Sequence, residues 1–140
     1  MTGAIVLGTA LCAAVALGMV FRARDGRIRA TESAAAEEPQ RLAPVDLGGP
    51  LGERASLVHF SSAFCAPCRA TRVLVDTIAE QSQGVRAIEV DAESNLDLVR
   101  RLDIRRTPTL LVLDGQGVIR RRATGLPKRS EVVAALADVV

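Results

Sequence analysis

The residues best placed to do chemistry are Cys65 and Cys68, a Cys-x-x-Cys pair inside HFSSAFCAPC. The chain holds three cysteines, which cannot all pair internally. The close spacing of two of them suits redox or metal chemistry rather than a staple across a long loop. Ser56 to Ser61 reads as a short apolar strand, and the stretch after Cys65 carries Ala70, Val73, Leu74 and Ile78 at helical spacing, ending near Gly84. The pair therefore falls where a buried strand ends and a helix begins. A thiol in the first turn of a helix faces unpaired N–H groups and the positive end of the dipole, and both stabilise the thiolate. Cys65 is the expected nucleophile. Cys68 lies one turn on and deeper, placed to attack a mixed disulfide on Cys65 and release the reduced substrate. Pro67 is tolerated because no helical hydrogen bond needs its missing N–H.

Two other readings of the pair are open. A zinc site asks for four ligands, and beyond the pair this part of the chain has no further Cys and one histidine, His59, so no metal is expected. Inert core cysteines would not need the strand-to-helix position. Cys12 sits in an apolar run and reads as a small membrane-compatible residue, because Leu11 stands where lipid modification favours a small side chain.

The elements that must position the pair alternate. After the strand and helix around it, Val85 to Asp91 reads as a strand, and Ser94 with Asp97 predicts a capped helix carrying Leu98, Val99 and Leu102. Thr109 to Leu113, the turn Asp114 to Gly117 and Val118 to Ala123 predict an antiparallel hairpin. Ser130 is expected to cap a last helix through Val132, Val133, Leu136 and Val140. This order gives an α/β fold around a central mixed sheet flanked by helices.

The N-terminal part differs. From Gly3 to Phe21 every side chain is apolar or small and uncharged, and about 19 such residues approach the thickness of a bilayer core. One transmembrane helix is expected over 1–21, in preference to a cleaved signal peptide, which would need a basic segment ahead of the apolar run. Arg22, Arg24, Arg27 and Arg29 follow at once, and positive charge there favours the cytoplasmic side and anionic headgroups. Residues 22–52 read as a juxtamembrane basic segment and linker, with TESAAAEEPQ as its polar part and Leu42 to Leu47 as an optional edge strand that Pro44 disfavours at the sheet centre. The folded domain is expected over 53–140. A net charge of +2, with basic and acidic residues interspersed and neither Trp nor Tyr, offers no footprint or stacking platform for nucleic acid.

FCAPC resembles the Trp-Cys-Gly-Pro-Cys of the thioredoxin family. RRTPTLLVLDGQG resembles that family's cis-proline loop before a central hairpin, and ATGLPK its later glycine turn; the likeness covers roughly Leu57 to Val140 in matching order. The resemblance implies a thioredoxin-like fold, dithiol–disulfide exchange, and Pro108 in cis beside the active site with the backbone around Thr107 pairing to substrate. Phe64, Ala66 and Pro67 complete the expected substrate-contacting set. Four positions depart from the family pattern. Phe64 replaces Trp, keeping apolar cover over the dithiol without an indole donor. Ala66 replaces the intervening glycine. His59 stands where the family has a buried Asp that helps deprotonate the second thiol, and Ala87 lies near the place of that Asp's Lys partner. Histidine takes and gives protons near neutral pH, so His59 is a candidate proton relay; a neutral core histidine is its plainer role.

Together these features predict a membrane-anchored, single-pass reductase of protein disulfides facing the cytoplasm. It would need no bound cofactor, and an electron donor or acceptor would recycle its dithiol. An outward-facing disulfide oxidase or cytochrome-maturation reductant would follow from the reverse topology. A non-catalytic module that docks a partner or binds metal at the pair is the rival from another class.

Overall fold

The computed structural model describes residues 2–24, 28–30 and 40–140. Helix α1 (Thr2–Arg24) is followed by strand β1 (Ile28–Ala30) and the short helix α2 (Pro44–Leu47). The expected alternation comes next: β2 (Ala55–Ser61), α3 (Ala66–Glu80), β3 (Val85–Asp91), α4 (Leu96–Arg101), β4 (Thr109–Asp114), β5 (Ile119–Thr124) and α5 (Arg129–Ala137). Four strands in the order β5-β4-β2-β3 make a mixed sheet, with β2 and β3 parallel and the other pairs antiparallel. Strand β1 adds to the outer edge of β5.

Strand β2 is buried along its whole length, which is why ASLVHFS reads as a nearly continuous apolar run rather than an alternation. Side chains still alternate between the two faces. Val58 and Phe60 join a cluster with Leu98, Leu102 and Leu111, while Leu57 joins Val75, Ile78, Leu110 and Val132 beneath α3 and α5. By the same alternation His59 shares the α3 side with Leu57.

Several sequence expectations are corrected. Leu42 to Leu47 forms no edge strand: Pro44 opens α2, the Asp46 carboxylate accepts the Ala43 N–H at 2.8 Å, and Gly48 ends the turn at φ 66°. Leu42 and Leu47 are buried in the same cluster as Phe60, so this part of the expected linker is packed against the sheet. Ser94 does not cap α4; its hydroxyl is held by Asp91, and Asn95 takes the cap position. Ser130 lies within α5, whose cap is Lys128. On α3 the buried face is Cys68, Thr71, Val75 and Ile78, with Val73 exposed; on α5 Val133 is exposed while Ala135 is buried.

The apolar span read from Gly3 to Phe21 is helical within α1. Its side chains are described for residues 6–20 and all of them are exposed. Among the described residues no helix is long and apolar enough to cross a membrane, so the structure does not show the transmembrane helix expected from the sequence. Arg27 and residues 31–39 of the expected linker lie outside the described residues, as do the side chains of Arg22, Arg24 and Arg29. Within the expected basic segment, Ile28–Ala30 pairs with Arg121 to Ala123 of β5.

Candidate active site at the strand-to-helix junction

Cys65 occupies the N-cap of α3 with extended backbone, and its N–H donates to the Ser62 carbonyl at 3.3 Å. Ala66 and Pro67 form the exposed first turn, and the Cys68 N–H returns to the Cys65 carbonyl at 3.1 Å. This turn brings the two cysteines to a Cα separation of 5.2 Å, and they are joined as a disulfide. Cys68 is only 3% exposed, whereas Cys65 is half-buried. Once the disulfide is reduced, iodoacetamide should label Cys65 at least about tenfold faster than Cys68, because reactivity follows thiolate character and access. Peptide mapping of partially alkylated protein measures the ratio, and a faster Cys68 would reverse the roles.

The second loop arrives at the same end of the sheet. Phe60 and Thr109 are in register across β2 and β4, so the segment leaving β2 toward Cys65 and the segment entering β4 from Thr107 lie side by side. The Thr107-Pro108 peptide bond is cis, and the Pro108 carbonyl accepts the Gly125 N–H at 2.8 Å, tying in the glycine turn of ATGLPK. The hydroxyls of Ser62 and Thr107 meet at 2.9 Å. Phe64 departs from expectation: at 101% relative exposure it stands out in solvent and gives the disulfide no apolar cover.

His59 is buried at 1% exposure on the α3 side of β2, and neither ring nitrogen has a hydrogen-bond partner among the described residues. Burial lowers its pKa by penalising the imidazolium; Glu89 and Asp76 oppose this weakly, while Arg72 reinforces it. The neutral ring therefore keeps one nitrogen free to accept a proton. Glu89 is in register with His59 across the parallel β2–β3 pair and carries a salt bridge to Arg72 of α3 at 2.5 Å. Burial pushes the Glu89 carboxyl up, but hydrogen bonds from Ser61 and Arg72 outweigh it and the net shift is downward. Sequence reading missed this pair and Ser62. Strand register could have placed Glu89 beside His59, whereas Ser62 and Thr107 meet across 45 positions with no local signal. Among the described residues no group of three or more His, Cys, Asp or Glu side chains is gathered as a metal site.

A mixed sheet with a disulfide at the start of its central crossover helix and a cis-proline loop alongside defines a thioredoxin-like α/β protein. The family model for thioredoxin matches residues 51–138, and the chain belongs to the thioredoxin family. It is 32% identical over 73 residues to thioredoxin 1 of Nostoc sp., covering 51% of this chain and 68% of that protein. It is 39% identical over 64 residues to thioredoxin 1 of Synechococcus elongatus, covering 44% of this chain and 60% of that protein, less than two thirds of the relative's length. The solved short form of spinach chloroplast thioredoxin f superposes with a TM-score of 0.57 at 22% identity, covering 74% of this chain and 89% of that one, a likeness of fold. Family and cysteine pair together support thiol–disulfide oxidoreductase activity.

Proposed function

We propose that the protein reduces protein disulfides at the cytoplasmic face of a membrane, with the apolar sequence from Gly3 to Phe21 as its anchor and Cys65 and Cys68 as its dithiol. The observation that carries the chemistry is the Cys65–Cys68 disulfide at the N-terminus of α3, with Cys65 half-buried and Cys68 buried. In the reduced protein the Cys65 thiolate attacks one sulfur of a substrate disulfide; that S–S bond breaks and the other substrate sulfur leaves as a thiolate. Cys68 then loses its proton and attacks Cys65 in the mixed disulfide, freeing the second substrate thiolate. Two electrons pass from the dithiol to the substrate, and an external dithiol donor must return them. His59, buried beneath α3 with a free ring nitrogen, is the base for Cys68 in this reading. The direct test is stoichiometric reduction of a protein disulfide by the reduced chain, lost on Cys65→Ser.

The membrane reading is supported by the uncharged sequence from Gly3 to Phe21, by the exposure of Val6, Leu7, Leu11, Leu17 and Met19 on α1, and by the arginines that follow. Side decides direction, since a cytoplasmic thiol pool favours reduction. A C-terminal phosphatase fusion, active only outside the membrane, should be inactive in the unmodified protein. An active fusion would contradict the cytoplasmic reading and bring the outward-facing oxidase or cytochrome-maturation reductant forward.

A further inference from the structure

Thr107 is fixed on both sides but unpaired at its centre. The Arg106 carbonyl accepts the Thr109 hydroxyl at 2.7 Å and the Pro108 carbonyl accepts the Gly125 N–H, so the backbone around it is held. Among the described residues, neither the N–H nor the C=O of Thr107 has a hydrogen-bond partner. A fixed peptide with both groups free and half-buried is an edge onto which an extended chain can pair. Ser62 connects that edge to the nucleophile. Its carbonyl receives the Cys65 N–H at 3.3 Å, while its hydroxyl binds the Thr107 hydroxyl at 2.9 Å. One residue thus sets the place of the reacting cysteine through its main chain and the place of the pairing edge through its side chain.

We propose that Ser62 is a positioning residue that aligns the free peptide edge at Thr107 with Cys65, giving preference to disulfides carried on an extended peptide over small disulfides. The proposal rests on the oxidoreductase reading and adds a specificity element to it. A small disulfide needs only the sulfur of Cys65. A disulfide within a peptide must also lay its backbone along Thr107 while its sulfur lies in line with the attacking thiolate, and a misplacement between the two sites costs rate on that substrate.

The full chain, reduced beforehand, is assayed with hydroxyethyl disulfide and with a disulfide-linked peptide long enough to extend several residues on each side of its cysteine. Ser62→Ala should lower kcat/KM for the peptide about fivefold relative to the small disulfide, the factor expected for one neutral hydrogen bond. Ser62→Thr, which retains the hydroxyl, should restore the ratio. Thr107→Val removes the same bond from the other side and should give the same change, and the double variant Ser62→Ala with Thr107→Val should lose no more than either alone. Equal slowing on both substrates, losses that multiply in the double variant, or no change in the ratio would each overturn the proposal. Absence of turnover of either disulfide by the unsubstituted chain would overturn the oxidoreductase reading and this proposal with it.

Discussion

Cys68→Ser should cut catalytic turnover of a protein disulfide by about a thousandfold or more while leaving the first attack intact. The second thiol is held one helical turn from Cys65, at a Cα separation of 5.2 Å, and an intramolecular attack from such a position has an effective concentration far above any external thiol. Without it the mixed disulfide waits for a millimolar reductant from solution, and the enzyme accumulates as a covalent adduct through Cys65. Non-reducing electrophoresis and intact mass give the amount of adduct, and a reductant chase releases it. Cys65→Ser should form no adduct at Cys68, because that thiol is only 3% exposed, and peptide mapping separates any adduct on the exposed, free Cys12 from one at the pair. Normal turnover by Cys68→Ser, or an adduct mapped to Cys68 in Cys65→Ser, would invert the mechanism.

The second large effect is expected at His59. General-base catalysis contributes roughly a hundredfold or more, so His59→Asn should slow resolution of the mixed disulfide on the order of a hundredfold and leave its formation nearly unaltered. Rapid-quench measurement of the two steps distinguishes this from a packing role, in which both slow together. Stability carries an independent signature. Because burial lowers the His59 pKa in the folded state, the unfolded chain binds a proton first as pH falls below the ordinary histidine value of about 6.5. The stabilisation is thus full above that value and is lost as pH falls toward the depressed folded value. His59 is the single histidine in the chain, so thermal melts between neutral pH and about pH 5 should show a fall in the unsubstituted protein that His59→Asn lacks. A parallel fall in the variant would assign the slope to other groups and leave His59 without a buried titration. His59→Asp, which places a carboxylate in this site without a lysine partner, is the companion variant for the rapid-quench experiment.

What could be read in advance was set by local pattern. VRAIEVD is bounded by Gly84 and an acidic turn, and it forms β3 over the expected residues. The cysteine pair lies between a fully buried strand and an amphipathic helix, and its accessible and recessed members follow from that junction alone. Helix faces were less legible. Around Val73, Leu74 and Val75 three adjacent apolar residues satisfy more than one helical stripe, and contact with the sheet selects Val75. Ser94 and Ser130 carry good capping hydroxyls, but Asp91 captures the first and the second falls inside its helix because the chain turns at Lys128. Analogy with an indole makes Phe64 a cover for the dithiol, but just ahead of the N-cap it stands in solvent instead. The link from Ser62 to Thr107 and the register of Glu89 beside His59 are tertiary facts, fixed by strand pairing and invisible to any local window.

The most direct test of the central claim is intact-mass analysis of the purified chain, fully reduced and then mixed with one equivalent of a protein disulfide. Oxidation of the dithiol to a disulfide removes two hydrogens, so the chain should lose about 2 Da as the substrate gains two alkylatable thiols, with the new bond mapped to Cys65–Cys68 and Cys12 still free. A chain that keeps its mass and both thiols while the substrate disulfide survives would contradict the account.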